Sequence, residues 1–404
     1  MSRTQEFIDK EMLFGSHNYA PLPIVLAKGE GIYLWDVEGK KYFDFLSGYS
    51  VMNQGHCHPR IVAALTKQAN TLTQVSRGLH SDQLAGYAEF ATKYLGLKRI
   101  LPLNSGVEAV EAGIKLARKW AVKKKGLNEG TAKIVFCADN FHGRTMAAIS
   151  ASTSPGARKD FGPFVPNFLT IPFGDIKALE ETLADPAVCA FFVEPIQGEG
   201  GVVVPPEGYL RAVRELCTKK NVLFVADEIQ TGLGRTGKLL ACHHEGVMPD
   251  ILLLGKSLGG GLLPVSAVLA NDDVMLCFQP GDHGSTFGGN PLACAVALEA
   301  LKVIQEEGLV ENAEKMGRIF RDELRKVKNP NVLEVRGKGL LNAVVLKPIE
   351  GKTVGHDFCM ALAKAGVIAK NTRENIIRFA PPLTINEKEL RQGVELIRGA
   401  LEKL

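Results

Sequence analysis

The chain has 404 residues, of which 46% are hydrophobic and 23% are charged, and its formal net charge is +4. At this length we expect two or three domains that together bury about three quarters of the unfolded surface. The charge is spread along the chain, and the densest basic stretch, residues 118–125, alternates with apolar residues. It predicts a solvated helix face, not a nucleic-acid or membrane surface.

The eight cysteines include no Cys-x-x-Cys pair, and several lie in apolar runs, where free cysteine behaves as a small hydrophobe. They predict a reducing, cytoplasmic setting. No apolar run reaches the roughly 18 residues of a membrane span, and residues 1–11 are too acidic for a signal or transit peptide. The histidine pairs at 56/58 and 243/244 lack a spaced second ligand group, so we expect no metal site.

The order of predicted elements indicates an α/β fold with a second, smaller domain. Residues 1–49 form an N-terminal segment that contains a hairpin-like pair of strands within residues 31–45. In residues 50–285 strands alternate with helices, which predicts a large domain with a mostly parallel sheet sandwiched by helices. Asn290 and Pro291 are a good start for a long helix, and it leads into an α+β domain that covers residues 286–404.

Five predicted strands end in polar or small residues, and the ends of parallel strands meet at one edge of a sheet. These strand ends are Asn104, Asp139, Glu194, Asp227 and Gly255. Because open α/β sheets bind ligands at the carboxyl ends of their strands, we expect a site at this edge.

Residues 99–120 predict a short strand, a Ser-Gly turn and a strongly periodic helix. The first amides of a helix have no partner within it, and the helix dipole favours an anion at that end. Gly106 lets the backbone approach such an anion closely, which indicates a phosphate site. Ser105 is alternatively an ordinary cap for a helix with nothing bound.

Residues 132–145 predict another strand that runs into a loop. Phe141 follows the strand closely enough to stack on a flat ring, and Arg144 lies three residues further on. Aromatic stacking contributes about 0.5–1.5 kcal/mol beyond simple burial. Phe141 is equally well explained as a core residue.

Residues 221–237 begin with an apolar run that predicts a buried parallel strand ending at Asp227. A carboxylate there can keep a pyridine nitrogen protonated, and a protonated ring withdraws electrons from a reacting carbon. Gln230 is placed to reach an oxygen of the same ring. The alternative for Asp227 is a helix cap.

Lys256 stands at the end of the apolar strand that follows Asp250, where strand packing does not require a lysine. A lysine held in a partly dehydrated pocket loses part of its preference for the charged form. Its neutral amine then condenses with an aldehyde to form a Schiff base, the chemistry of pyridoxal phosphate enzymes. The alternative is a solvated lysine in a turn.

Eight segments occur along the chain in an order that is specific in combination, although some are weak alone. They span residues 18–23, 47–59, 140–145, 194–201, 225–237, 254–261, 283–291 and 378–383. With them the chain resembles the class III aminotransferases of the fold-type I pyridoxal phosphate superfamily, from about Asn18 to the C-terminus.

The resemblance implies a pyridoxal 5'-phosphate cofactor, with Lys256 as the lysine that binds it and Asp227 as the partner of its pyridine nitrogen. Further cofactor contacts are implied at Ser105, Gly106, Val107, Phe141, His142 and Gln230. Ser285 and Thr286 match a loop that reaches the phosphate of the neighbouring subunit, which implies a homodimer with shared active sites. The chain departs from some relatives at His142, where they carry tryptophan, and at Gly200, where they carry alanine.

Within the family the motifs are most similar to those of members that transfer the side-chain amine of ornithine to 2-oxoglutarate. That ping-pong reaction gives glutamate and glutamate 5-semialdehyde, which cyclises to pyrroline-5-carboxylate, and it links arginine metabolism to proline biosynthesis. Arg378 then grips the carboxylate of glutamate, and Glu199 pairs with Arg378 when ornithine reacts. Glu199 and Arg378 are alternatively a structural ion pair. Other substrate contacts are implied at Tyr19, Tyr49, Arg144 and Glu194.

Other functions compete with this reaction. N-acetylornithine and 4-aminobutyrate aminotransferases share most of the motifs but usually lack an aromatic residue at the position of Tyr49, so Tyr49 favours ornithine. A mutase of the same fold does not need an arginine that binds a substrate carboxylate in one half-reaction and Glu199 in the other, as Arg378 is implied to do. A binding or scaffolding protein has no need to keep Lys256, Asp227 and Arg378 together.

Overall fold

The computed structural model describes residues 2–404, and within them fifteen strands form three sheets. The strands are Leu26–Glu30 (β1), Tyr33–Asp36 (β2), Lys41–Asp44 (β3), Arg99–Leu103 (β4), Lys133–Cys137 (β5), Phe168–Ile171 (β6), Val188–Val193 (β7), Leu223–Asp227 (β8), Ile251–Leu254 (β9), Ser266–Ala270 (β10), Val332–Lys338 (β11), Leu341–Leu346 (β12), Val367–Ile368 (β13), Lys370–Arg373 (β14) and Ile376–Phe379 (β15).

The helices surround these sheets. They are Arg3–Phe14 (α1), Ser47–Ser50 (α2), Pro59–Ala69 (α3), Asp82–Leu95 (α4), Gly106–Trp120 (α5), Met146–Ser150 (α6), Pro155–Arg158 (α7), Ile176–Thr182 (α8), Tyr209–Lys219 (α9), Asp272–Met275 (α10), Pro291–Glu306 (α11), Leu309–Leu324 (α12), Val354–Ala365 (α13) and Glu387–Leu401 (α14), with a π-helix at Ala121–Lys125 and 3-10 helices at Ala241–Glu245 and Lys256–Gly259. Among the residues described, no helix is both long and apolar enough to cross a membrane.

The large sheet has seven strands in the order β4-β10-β9-β8-β7-β5-β6. Strand β10 runs antiparallel to both of its neighbours, and the other six strands run parallel to one another. The polar residues at their carboxyl ends therefore lie along one edge. This confirms the predicted α/β fold with a mostly parallel large sheet.

Helices cover both faces of this sheet, and the alternation of side chains along β5 shows how. Ile134 and Phe136 join the core on the side of α5, whereas Val135 and Cys137 join the core on the side of α9. Successive side chains of a strand point to opposite faces, so both halves of β5 must be apolar. This explains why the central strands appear in the sequence as continuous apolar runs.

A second antiparallel sheet, in the order β11-β12-β15-β14, forms the smaller part of the molecule together with α12, α13 and α14. The predicted hairpin of β2 and β3 is part of a four-stranded sheet, because β1 pairs with β2 and β13 pairs in parallel with β3. Helix α11 begins at Pro291 with Asn290 as its cap, as the sequence predicts. The domain bounds at residues 49 and 285 stay a prediction.

One sequence-based expectation is wrong in part. Residues 122–124 are exposed, but the amine of Lys125 donates to the carbonyl oxygens of Val188 and Asn221. The π-helix after Trp120 directs the side chain of Lys125 towards the amino ends of β7 and β8. Burial accordingly lowers the pKa of Lys125, so this residue does not belong to a solvated face.

Two glycines of α14 provide a test of the packing. A Cβ atom added at Gly393 would lie 2.6 Å from the buried Phe45 ring, whereas one added at Gly399 would meet no atom within 4 Å. We expect Gly393→Ala to lower the free energy of unfolding by about 1–3 kcal/mol through overpacking. Gly399→Ala raises it by about 0.5–1 kcal/mol, because alanine favours the helix. Urea unfolding followed by circular dichroism measures both, and equal effects of the two substitutions contradict the described packing.

Candidate active site

Side chains from the carboxyl ends of the large sheet surround a cavity of about 200 Å³. It is lined by Gly106, Val107, Phe141, His142, Gly143, Glu194, Glu199, Asp227, Ile229, Gln230 and Lys256. The structure therefore brings together most of the residues for which the sequence predicts a role. We call this space the inner cavity.

Lys256 directly follows Gly255 at the end of β9 and opens a 3-10 helix with a φ of +47°. This left-handed conformation is rare for a residue with a side chain and marks a strained position. Among the residues described, its amine makes no hydrogen bond or ion pair. Burial lowers the pKa of Lys256, although the charges of Glu199 and Asp227 oppose the shift. A larger fraction of Lys256 is therefore in the neutral, nucleophilic form than of a solvated lysine at the same pH.

Asp227 ends β8 and does not cap a helix, since a tight turn follows in which its Oδ1 accepts the Ile229 amide at 3.1 Å. Its Oδ2 lies 2.6 Å from Nδ1 of His142, and both side chains are buried. The other ring nitrogen of His142, Nε2, is buried without a partner in the described part of the chain. His142 thus orients the Asp227 carboxylate at the wall of the inner cavity.

Phe141 is 37% exposed, which excludes the alternative that it is a core residue. Its backbone N–H donates to Glu194 Oε1 at 2.8 Å, and this bond fixes the loop after β5 against the end of β7. Burial raises the pKa of Glu194 to about 7, although the neighbouring His142 opposes the shift. The ring of Phe141 forms one wall of the inner cavity, and the guanidinium of Arg144 lies 5.5 Å from its centre.

Arg378 comes from β15 of the small sheet and is 1% exposed. Its Nη1 donates to Glu199 at 2.6 Å and to the amide oxygen of Gln230 at 3.3 Å. Its Nε and Nη2 are buried, and neither has a partner among the described residues. Burial alone raises the pKa of Glu199, but the charge and hydrogen bond of Arg378 outweigh it, so the pKa is lowered. The ring of Tyr49 lies 5.1 Å from the guanidinium.

The N-terminus of α5 opens onto the inner cavity at Gly106 and Val107. The hydroxyl of Ser105 accepts a hydrogen bond from the Glu108 backbone N–H. Ser105 therefore caps the helix, as its alternative interpretation as an ordinary helix cap predicts. A Cβ atom at Gly106 lies 3.1 Å from Ile229, so the first turn packs closely against the turn after Asp227.

Seven predicted residues do not line the inner cavity, namely Ser105, Tyr49, Arg144 and Arg378, which are described above, and Ser285, Thr286 and Tyr19. Ser285 accepts a hydrogen bond from Asn104 at 2.8 Å, and with Thr286 it lines an open cavity of about 520 Å³ near the start of α5. Whether this loop serves a neighbouring subunit stays a prediction. Tyr19 is 81% exposed and lies on the N-terminal arm.

Sequence reasoning missed two buried charged residues, Glu228 and Arg235. Glu228 accepts hydrogen bonds from Thr231 and from the amides of Ala241 and Cys242, and thereby holds the loop that follows β8. Arg235 donates to Asn53 and to the carbonyl oxygens of residues 340 and 381. Both lie within the conspicuous segment 225–237, yet the sequence contains no signal for their distant partners.

Residues 14–401 match the family Aminotransferase class-III. The chain belongs to this family. The resemblance that the sequence motifs indicated is thereby confirmed.

Full-length relatives include class-III aminotransferases with assigned substrates. The chain is 57% identical over 400 residues to the mitochondrial ornithine aminotransferase of Drosophila melanogaster. The aligned residues cover 99% of this chain and 92% of the relative. It is 54% identical over 399 residues to the mitochondrial ornithine aminotransferase of Rattus norvegicus, covering 98% and 91% of the two chains.

Two solved structures of relatives superpose closely. The ornithine aminotransferase of Toxoplasma gondii has 48% identity and a TM-score of 0.97 and covers 98% of this chain and 94% of that one. That structure has partial occupancy of pyridoxal phosphate at its active site. The acetylornithine aminotransferase of Elizabethkingia anophelis has 50% identity and a TM-score of 0.92, with complete coverage (100%) of both chains.

The inner cavity of this class-III aminotransferase fits pyridoxal phosphate. A helix N-terminus suits the phosphate, a buried carboxylate suits a pyridinium nitrogen, and the Lys256 amine has no competing partner in the described chain. The two unpartnered nitrogens of Arg378 indicate that a further anion belongs beside the cofactor.

The raised pKa of Glu194 predicts a pH effect on stability. The usual pKa of a glutamate is 4.5, and that of Glu194 in the folded state is about 7. Between these two pH values the folded state keeps the Glu194 proton, whereas the unfolded state has released it. Stability is therefore lost as the pH rises through this window. In protein free of cofactor, Glu194→Gln removes this loss, about 3 kcal/mol at about 1.4 kcal/mol per pKa unit. We expect the substitution to stabilise at pH 8 and to change little at pH 4.5. A gain that does not depend on pH contradicts the assignment.

Proposed function

We propose that the chain transfers the side-chain amino group of L-ornithine to 2-oxoglutarate in a ping-pong reaction that depends on pyridoxal phosphate. The observation that carries the proposal is the buried Arg378 guanidinium, which has one carboxylate partner, Glu199, beside Lys256. The full-length relatives that are named for this reaction support it.

The Glu199–Arg378 pair allows one site to accept two unlike amino donors. When glutamate reacts, a carboxylate adjoins the reacting carbon and binds Arg378 in place of Glu199. When ornithine reacts through its side-chain amine, only a methylene adjoins that carbon. Glu199 then stays on Arg378, because an isolated buried cation is costly. Gln230 contacts both partners and can follow the exchange.

When bound, pyridoxal phosphate supplies an aldehyde that accepts the amino group and a ring that withdraws electrons from the reacting carbon. Lys256 would hold the cofactor through its amine, and the same amine would carry the proton that leaves the reacting carbon of the substrate. Asp227 keeps the ring nitrogen protonated, and His142 holds the Asp227 carboxylate in place. Phe141 and Ile229 enclose the ring space and exclude water.

Transfer from N-acetylornithine is the second candidate, and it is favoured by the 50% identity to the acetylornithine aminotransferase of Elizabethkingia anophelis. The aromatic wall made by Tyr49 beside Arg378 is our reason for preferring ornithine.

Assembly, pathway and compartment are further parts of the proposal. We propose a homodimer in which Ser285 and Thr286 complete the phosphate site of the other subunit. Their exposed loop, which carries Phe287 at 60% exposure, supports this. A role between arginine metabolism and proline biosynthesis follows from the proposed products. The eight unpaired cysteines support the cytoplasm, and cell fractionation tests it against the mitochondria for which several relatives are named.

The bound cofactor gives a direct test of the proposed function. We expect the purified protein to have an absorbance band near the visible edge that L-ornithine bleaches and 2-oxoglutarate restores. Lys256→Ala is expected to remain folded and to lose turnover to below a few per cent, because no neighbour replaces its amine. Bleaching by N-acetylornithine in preference to ornithine contradicts the proposed substrate. Substantial turnover by Lys256→Ala contradicts the assigned lysine.

Removal of Glu199 tests the charge exchange. Glu199→Ala leaves Arg378 free for the carboxylate of glutamate and leaves it unpaired when ornithine is bound. We expect the rate of the glutamate half-reaction to rise relative to that of the ornithine half-reaction, both measured in single turnover. If both half-reactions slow to the same extent, then Glu199 and Arg378 form only a structural ion pair.

A further inference from the structure

Helix α2, which carries Tyr49, is left-handed. Its four residues, Ser47–Ser50, all have a positive φ, between +50° and +73°. Residues with a side chain avoid this conformation because their Cβ atom comes too close to the following carbonyl oxygen. Glycine adopts it freely, but Gly48 is the only glycine of the four. The backbone of α2 is therefore strained at the other three positions.

The side chains of α2 do not compensate for this strain. The hydroxyls of Ser47 and Ser50 are buried, and neither has a hydrogen-bond partner among the described residues. Strained backbone persists only where its surroundings hold it in place, and it occurs preferentially at functional sites. The left-handed turn must accordingly be held by groups outside it.

Asp44 and His56 are these groups. Asp44 is 2% exposed, and its Oδ1 accepts the backbone N–H of Leu46 at 2.9 Å and of Ser47 at 2.7 Å. Its Oδ2 lies 2.7 Å from Nε2 of His56. A Cβ atom added at Gly29 would lie 2.9 Å from the His56 ring, so this ring is closely packed. The pair thereby fixes the direction in which the chain enters α2.

The conformation of α2 decides where the ring of Tyr49 lies. This ring is 5.1 Å from the guanidinium of Arg378. The chain just before α2 is bonded to the segment that follows Arg378, since the backbone N–H of Ala380 donates to the carbonyl oxygen of Phe45 at 2.7 Å. Side-chain direction follows the backbone conformation, so a right-handed turn at these residues would point the ring elsewhere.

We propose that Asp44 and His56 are positioning residues for substrate selection. The pair holds α2 in its left-handed conformation and so keeps the ring of Tyr49 against Arg378, without contacting the substrate. The inference rests on the proposed function, in which the wall made by Tyr49 favours ornithine over 4-aminobutyrate. It assigns that preference to a strained turn and the ion pair that holds it, as well as to the tyrosine.

A purely structural role is the competing explanation, because a buried pair also stabilises the segment in which it lies. A structural defect lowers stability and reduces the activity on every amine alike. A positioning defect changes the ratio of kcat/KM for ornithine to kcat/KM for 4-aminobutyrate. It does so only while the ring of Tyr49 is present.

A double-mutant cycle separates these explanations. His56→Phe keeps a ring beside Gly29 and removes the nitrogen that faces Asp44. We expect it to lower the ratio about tenfold, because a displacement of about 1 Å at a site can cost up to about a hundredfold in rate. In a Tyr49→Ile background we expect the same substitution to change the ratio by less than about twofold, since its effect passes through the missing ring.

Three further variants complete the design. The amide nitrogen of His56→Gln can take the place of the histidine Nε2, so we expect this variant to keep the ratio within about threefold of wild type. His58→Leu breaks the neighbouring pair with Glu307, at 3.2 Å, and is expected to leave the ratio unchanged. If His56→Phe does not fold, His56→Leu decides by the same criterion.

The outcomes separate this inference from the function on which it rests. A wild-type protein that does not prefer ornithine to 4-aminobutyrate overturns the proposed function and the positioning role together. If the wild type prefers ornithine and His56→Phe keeps that preference, the positioning role alone is overturned. An equal change of the ratio with and without Tyr49, or an equal loss in His56→Gln and His56→Phe, likewise overturns it.

Discussion

The enclosed guanidinium of Arg378 is the constraint around which the rest of the site is organised. It is 1% exposed, yet two of its nitrogens have no partner in the described chain. An unsatisfied buried donor costs about 1–3 kcal/mol and more when charged, so the protein holds this group in readiness for an anion. Glu199 compensates for its charge, and Gln230 forms hydrogen bonds with both partners.

Such a group can be kept in place only if the two sheets are fixed against each other. Arg378 belongs to β15, whereas Gln230 follows β8 of the large sheet. Arg235 crosses between these parts, since it is fully buried and donates to Asn53 and to the carbonyl oxygens of Leu340 and Pro381. A satisfied buried cation thus supports the position of an unsatisfied one. Rigidity of this kind is what a preorganised charged site requires.

The sequence predicted the parts of the molecule that depend on local signals. The apolar runs of β5 and β8, the cap at Asn290 and the lysine after β9 were all recognised from neighbouring residues alone. Pairings between distant residues were recognised only where the family resemblance implied them, as for Glu199 and Arg378. The parallel contact of β3 with β13 and the ion pair between Asp139 and Arg373 join positions more than 200 residues apart. Lys125 was misplaced because a π-helix shifts its direction, and propensity gives no warning of that shift.

Two ion pairs that tie the small sheet to the rest of the molecule, Glu199–Arg378 and Asp139–Arg373, differ in how deeply their charges are buried. The Glu199–Arg378 pair lies in the interior, where low polarity makes the exchange of one carboxylate for another energetically decisive. The Asp139–Arg373 pair lies near solvent, where charges exchange partners at small cost and discriminate mainly by matching sign. In the proposed reaction, the buried Glu199–Arg378 pair is therefore the one that decides which half of a donor reacts.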